Sequence, residues 1–338
     1  MGNLSFFNKI IYLVNTLVAA LFIASFVLPY LPPKTFPIAA VLSLAVPLFL
    51  VLHLIFVIYW ILLGFKKPVY ISLFCLVLAF LFSSFPYKFK NETDSSEGDL
   101  SIMTYNVRLF NTYKWIKSDD IPQKIADFVK EENPDILLLQ EFNPNNQPKF
   151  SYPYKHIVLK GEKKGFGQAI FSKYKIVDQG DLNFDNSDNN AIYIDILVKS
   201  DTLRIYNLHL ESLRLGANQK LLTDGDSERL LKTMTKAFVK QQNQIEQFKT
   251  FAVNGPKRKI IAGDLNNTAY SWVYHQISQN MVDTFNEAGS KFGRTFDLKK
   301  YPLRIDFILV DEKFSVTGHH NYGVEFSDHY PVMAKVKF

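Results

Sequence analysis

Ile136-Leu-Leu-Leu-Gln140-Glu141 is a run of four apolar residues ending in an amide and a carboxylate. A short, continuously apolar segment between polar neighbours reads as a strand buried on both faces. Strand-like runs recur at residues 100–106, 169–171, 191–198, 203–210, 259–262, 304–310 and 332–338. Between them lie helical patterns. Residues 120–132 carry Ile121, Ile125, Phe128 and Val129 at helical spacing, and 227–251 carry Leu230, Leu231, Met234, Phe238, Ile245 and Phe248. A shorter helix fits 271–278. This alternation predicts an α/β protein. Only Lys199-Ser-Asp-Thr202 separates two of the strands, a hairpin-length link that cannot join parallel neighbours. The expectation is therefore two packed, mixed sheets with helices outside, rather than one doubly wound sheet.

Polar residues collect where the strands end. Asn106 and Arg108 follow the first strand, Glu141 ends the second, and Asn207 and His209 share a strand face. Asp264 and Asn266 close another strand, Arg304 and Asp306 sit two apart on the next, and Asp328-His329 precedes the last. Singly, each has an ordinary explanation: a turn residue bonding its own backbone, a satisfied half-buried histidine, an Asp306–Arg304 pair. Together they are hard to explain structurally, because buried strands seldom carry charge unless it is paired or binds a metal. Glu141, Asp264, Asp306 and Asp328 offer oxygen ligands suited to Mg²⁺ or Mn²⁺. No thiolate or HExxH-type pair points to zinc. An Asp beside a His suits a general base or a phosphate-binding imidazolium, and Arg108 with the Asn side chains suits phosphate oxygens. Metal-assisted hydrolysis of a phosphate ester uses these parts.

The segments TYNVR (104–108), LLLQE (137–141), NLHL (207–210), GDLN (263–266), RIDFIL (304–309) and SDHYPV (327–332) resemble, in order, motifs of the endonuclease/exonuclease/phosphatase superfamily. The resemblance runs from about Ser101 to Phe338 and implies a four-layer α/β sandwich of two mixed β-sheets with the site at one end. It implies that Glu141 is the main metal ligand, helped by Asn106 and Asp328. Asp264 would orient or deprotonate the attacking water, and Asn266 would bind the phosphate. His329 would contact the scissile phosphate with Asp306 fixing its orientation, and His209 would be a second donor or acid.

The first ninety residues are of another kind. They contain six lysines and no Asp or Glu, which leaves 32 basic against 32 acidic residues in 91–338. The formal net charge of +6 thus belongs to the N-terminal third and does not mark a nucleic-acid surface on the rest. Three uncharged apolar runs, 10–28, 38–63 and 69–85, each match the roughly 17–25 residues that a bilayer requires. They predict a three-helix transmembrane region over 1–90, with His53 as a hydrogen-bonded residue of the bundle. The Lys66-Lys67 pair between the second and third runs places that loop in the cytoplasm, and the domain after Phe85 on the outer face of a plasma membrane. Residues 91–99, polar and acidic, read as a linker to a catalytic domain over 100–338.

Two substrate classes follow. A nuclease fits the TYNVR version of the first motif, although the neutral domain offers only Lys155, Lys160, Lys163 and Lys164 as a basic cluster. A lipid-headgroup phosphodiesterase or phosphatase, sphingomyelinase-like, fits a membrane tether, with residues 212–236 as a lid or membrane-facing element. The Trp-Cys-Asp-Arg motif of inositol 5-phosphatases is absent, since the matching strand reads Pro302-Leu-Arg-Ile-Asp306. A non-catalytic anchored binding module is a third class, and the filled polar positions speak against it. The expectation is a membrane-anchored, Mg²⁺- or Mn²⁺-dependent phosphodiesterase with endonuclease-like activity, with the lipid enzyme as the alternative.

Overall fold

The computed structural model describes residues 4–82, 84–89, 98–160, 165–198, 201–213, 226–256, 258–298 and 301–338. Four helices come first: α1 (Phe6–Ser25), α2 (Pro37–Leu42), α3 (Val46–Leu62) and α4 (Lys66–Phe82). Two six-stranded sheets follow. The first has the order β15 (Ser315–Asn321), β16 (Val332–Lys337), β2 (Leu100–Asn106), β3 (Ile136–Phe142), β5 (Phe166–Ser172), β4 (Tyr154–Lys160). The second has the order β10 (Met281–Asp283), β14 (Asp306–Asp311), β9 (Arg258–Asp264), β8 (Asp201–His209), β7 (Asn190–Val198), β6 (Ile176–Asp181). Two small ribbons complete the strands, β1 (Tyr87–Lys88) with β11 (Lys291–Phe292) and β12 (Phe296–Leu298) with β13 (Tyr301–Leu303).

Each large sheet is mixed. β2 and β3 are parallel in one, β8 and β9 in the other, and the remaining pairs are antiparallel. Ile102, Leu138, Ile194, Ile205, Ile260 and Val332 fill the space between the sheets. Helix α5 (Ile121–Glu132) buries Ile121, Ile125, Phe128 and Val129 on the outer face of the first sheet. Helices α6 (Asp226–Ala252) and α7 (Trp272–Ile277) cover the second through Ile245, Phe248, Val273 and Ile277. A last short helix, α8 (Thr284–Ala288), is capped by Asp283. The result is the expected α/β fold of two mixed sheets between helical layers.

Topology gathers the polar strand ends. Parallel pairing sets Asn106 against Gln140 and His209 against Asp264, and antiparallel pairing sets Asp306 against Asp264. Because β16 runs opposite to β2, residues 327–329 enter at the same end. Gly263 permits the closest of these approaches. Its φ is +136°, and a Cβ there would lie 2.0 Å from the Leu208 carbonyl oxygen.

Two sequence expectations change here. Strands β4, β6 and β15 were not foreseen, because they are edge strands of mixed composition that lack a continuous apolar run. Arg304 does not share the strand with Asp306. The strand starts at Asp306, and Arg304 turns to a buried ion pair with Asp283 at 2.8 Å.

In the N-terminal region α1, α3 and α4 pack together. Two helices, Phe6–Tyr30 and Pro37–Leu62, are long and apolar enough to cross a membrane. The third apolar run becomes a helix of 17 residues that starts on Lys66 and Lys67 and stops at Phe82, short of the expected end. His53 Nδ1 lies 3.2 Å from Ser72 Oγ, which also exchanges hydrogen bonds with Asn15.

The helices dock on the sandwich near its polar end. Tyr270 joins the apolar cluster of Phe22 and Val46 and donates to the Ser84 carbonyl at 2.7 Å. Thr268 reaches the Ser43 carbonyl, and Arg304 donates to Ser84 Oγ at 2.7 Å. Lys34 pairs with Glu246 on α6. From the 212–236 segment, Leu213, Leu230 and Met234 pack with Ala40 and Val41 of α2. Leu215, Leu221, Leu222, Lys163, Lys164 and nearly all of the 91–99 linker lie outside the described residues.

Candidate active site

The floor of the site is a buried amide network between the sheets. Asn207 donates to the Leu139 and Ala169 carbonyls and accepts from Gln140 at 2.7 Å, while Gln168 donates to the Asn207 carbonyl. These contacts tie β8 to β3 and β5 and fix the height of His209, two residues on. Sequence reasoning quoted Gln140 inside LLLQE but gave it no role. Its bulge, a register shift between Leu139 and Phe142, turns Glu141 out of the ladder into a left-handed conformation with φ +49°. Asn266 is also left-handed, at φ +48°. Strained backbone of this kind marks both ends of the polar cluster.

Above the floor, Asp264 is the hub. Asn106 Nδ2 donates to it at 3.0 Å and to Glu141 at 3.2 Å, linking the two sheets. The Asn266 backbone N–H donates to Asp264 at 2.7 Å, and its side chain donates to the Leu210 carbonyl at 3.0 Å. His209 Nε2 and His329 Nε2 both stand 3.7 Å from Asp264 Oδ2. His329 Nδ1 lies 3.0 Å from Asp306, whose own backbone N–H donates to Thr295 Oγ1. At the rim Arg108 pairs with Asp328 at 3.1 Å and lies 4.3 Å from the Trp115 ring. Ser327, not foreseen as a site residue, ties this loop to β2 by donating to the Asn106 carbonyl at 2.8 Å.

All nine residues singled out from the sequence thus fall in one connected site. Three differ in detail from expectation. Asn266, expected to bind the phosphate, spends its side-chain amide on the Leu210 carbonyl and on Asp264. Asn106 faces the carboxylates through its amide nitrogen, because two acceptors select a donor, so it bridges Glu141 and Asp264 rather than offering them an oxygen. Arg108 is engaged by Asp328 and Trp115, so its guanidinium is positioned before any phosphate arrives.

The electrostatics divide the site. Burial would lower His329, but Asp306 and Asp264 raise it to about 10, which makes it an imidazolium. Burial, together with the charge of His329, pushes His209 down to about 3, so it is neutral. Burial raises Asp264, with Asp306 adding to the effect and His329 opposing it. Glu141 is raised by burial and by Asp328.

Asp264, Asp306 and His329 present ligand-type atoms all within 4.8 Å of one another. In this trio His329 Nδ1 is engaged by Asp306, which leaves its Nε2 facing Asp264 and any incoming group. A divalent cation also fits on the Glu141 side of Asp264. There Glu141 and Asp328 repel each other, and His329 and then Arg108 are the charges that compensate Glu141. The buried Asp306 Oδ1 and His209 Nε2 have no hydrogen-bond partner among the described residues, as in a site built to receive another group.

Comparison with known proteins follows from this geometry. Residues 103–329 match the family described as "Endonuclease/Exonuclease/phosphatase family", and residues 8–85 match a "Domain of unknown function (DUF8431)". No curated protein matches the chain. Among solved structures, the fold is similar to a humanized D. rerio TDP2 (18% identity, TM-score 0.53, covering 71% of this chain and 99% of that one). It is similar to an endonuclease/exonuclease/phosphatase family protein from Leptotrichia buccalis (20% identity, TM-score 0.51, covering 71% and 100%). A Bacteroides vulgatus protein described as endonuclease/exonuclease/phosphatase is comparable (18% identity, TM-score 0.53, covering 71% and 99%). With two thirds of its length matched by one family, this chain belongs to the endonuclease/exonuclease/phosphatase family of metal-dependent phosphoesterases.

Proposed function

We propose that the protein is a membrane-anchored phosphodiesterase that cleaves nucleic acid with Mg²⁺ or Mn²⁺. The observation that carries the reading is the convergence on Asp264 of Asn106, Asn266, His209 and His329, with Glu141 one hydrogen bond away. Asp264 is the group placed to take the proton of an attacking water, and its raised affinity for protons suits a base working near neutral pH. Asn266 holds the Asp264 carboxylate in place through its backbone N–H. His329, kept cationic by Asp306, donates to a phosphoryl oxygen as negative charge develops there. His209 offers its unpartnered Nε2 from the opposite side. Glu141 and Asp328 would hold the divalent ion, whose charge stabilises the phosphoryl and leaving-group oxygens.

Anchoring is supported by two helices long enough to span a bilayer and by the outward-facing apolar side chains of α1, α3 and α4. We place Lys66 and Lys67, at the start of α4, inside and the catalytic domain outside, an orientation that requires α4 to cross as a third span. A reporter enzyme that works only beyond the cytoplasm, fused after Phe338, will be active; an inactive fusion reverses the orientation.

A second reading rests on the docking of the 265–271 loop. Thr268, two residues past Asn266, touches the turn before α3, so the site lies beside the helix ends. That position suits a lipid headgroup. The test uses full-length protein in detergent, with Asp264→Ala as the blank, on single-stranded DNA, RNA, sphingomyelin and phospholipid vesicles, with Mg²⁺ or with EDTA. DNA or RNA cleavage lost in the variant and in EDTA is the expected result. Headgroup release without strand cleavage selects the second reading.

A further inference from the structure

The loop that follows Arg108 carries two aromatic rings at the rim of the site that no step above employs. Tyr113 is 70% exposed and Trp115 is 37% exposed. Their ring centroids are 5.2 Å apart, edge to face. Two neighbouring aromatic rings at a site mouth offer faces on which a planar group can stack.

The loop is built to hold these rings still. Arg108, Leu109, Phe110 and Asn111 are all left-handed, with φ between 41° and 57°. Phe110 is buried against Phe142 at 5.6 Å. Asn111 brackets the following turn: its Oδ1 accepts from the Ile116 backbone at 2.9 Å, and its Nδ2 donates to the Ile116 and Ser118 carbonyls. Asn143 and Asn146, just past Glu141, donate to Thr112 and to the Phe110 carbonyl. The Arg108 guanidinium fills the gap between Trp115 at 4.3 Å and Asp328 at 3.1 Å, so the indole stands one side chain from the Glu141–Asp328 pole. Lys114 and Lys117 flank it in the sequence Tyr113-Lys-Trp-Ile-Lys117.

We propose that Tyr113 and Trp115 form a stacking subsite for an unpaired nucleobase beside the scissile phosphate. A rigid aromatic pair with neighbouring lysines is how single-stranded nucleic acid is held without sequence choice. The planar Arg108, stacked on one side of the pair and ion-paired on the other, sets the distance from base to phosphate. The inference rests on the nucleic-acid reading and goes beyond it by naming an unpaired base as the recognised group.

The test is binding, read separately from turnover. Full-length protein in detergent carrying Asp264→Ala is titrated with a fluorescein-labelled single-stranded DNA oligonucleotide in Mg²⁺, and with the same oligonucleotide made of abasic residues. Adding Trp115→Ala or Tyr113→Ala should weaken binding of the base-bearing strand by about tenfold to a hundredfold. Trp115→Phe should stay within about threefold of the parent, and the abasic strand should bind all variants alike. Equal losses on both strands, no loss on either, or no binding by the parent would overturn the subsite. So would a loss confined to phospholipid vesicles, which makes the rings an interfacial anchor. Cleavage of the abasic strand by the Asp264 protein keeps the phosphodiesterase reading whatever becomes of the subsite; cleavage of neither strand and of no other nucleic acid removes that reading itself.

Discussion

In the bundle of α1, α3 and α4 the interior holds Asn15, Ser72, Ala19 and Ala79 beside the larger Phe22, Leu50 and Trp60, while Leu13, Ile58 and Leu81 point outward. In the sandwich the interior holds Ile102, Leu138, Ile194 and Ile205, while the outward positions of α5 are Gln123, Lys124, Asp127 and Lys130. Under the proposed membrane anchoring, the two regions follow one rule with the solvent exchanged. Apolar side chains gather inside when water is outside. With hydrocarbon outside they need not hide, so large apolar side chains face both ways and small or hydrogen-bonding residues share the interior with Phe22 and Trp60. The contrast also separates function, because the polar cluster around Asp264 sits in the sandwich, while the N-terminal region meets it through the loop after Asn266, through Arg304 and through helix α6.

The strongest challenge to that division is at the site. Asp264→Asn or His329→Ala should cut turnover by about a hundredfold to a thousandfold while leaving the unfolding temperature nearly unchanged. Activity kept within tenfold would dissolve the assignment. Next comes Arg304→Met, which strands the buried Asp283 and should cost about 3–5 kcal/mol in denaturant titrations. Burial favours a high value for the Asp283 carboxyl, but Arg304 and Tyr274 outweigh it and hold it below the usual carboxylate range. Its contribution is thus present above about pH 4 and is lost as pH falls through its lower folded value. The variant should lose this segment of the acid profile, and an unchanged profile would show that the pair does not titrate with folding.

A paired truncation sharpens the comparison. Ile205→Ala, at the centre of the sandwich, should cost about 2–5 kcal/mol, whereas Ile58→Ala, on the outer face of α3, should be within about 0.5 kcal/mol in detergent. Similar losses at both positions would mean that the bundle is packed as in a water-soluble protein. The smallest effect is at Ser72. Removing its hydroxyl leaves Asn15 and His53 short of a partner inside the bundle, for about 1 kcal/mol in a thermal-shift assay in micelles. No shift at all would mean that these groups find other partners.

How much of this was legible in the sequence depended on the physical source of each feature. Continuous apolar runs identified β2, β3, β7, β8, β9 and β14, because strands buried on both faces have little choice of residue. The edge strands β4 and β6 face water and carry Lys155, Asp178 and Gln179, so they gave no run to read. Site residues were legible because carboxylates and histidines at the ends of such strands have no packing reason to be there. The floor of the site was legible only in Asn207, since its partners Gln140 and Gln168 act by bridging strands far apart in sequence. Tyr113 and Trp115 were passed over for a related reason: only the loop geometry shows that they stand exposed beside Arg108.

The backbone at position 263 sets a limit on how this enzyme can vary. The Leu208 carbonyl occupies the place where a side chain would begin, and the neighbouring residues on the two strands are His209 and Asp264. Any substitution there wedges the strands apart at the point where His209 and Asp264 stand paired. A library randomised across residues 262–266 and selected for activity should therefore recover a single amino acid at 263, whatever freedom it finds on either side. Mutational tolerance in this protein is then narrowest at a residue that has no side chain to offer the chemistry.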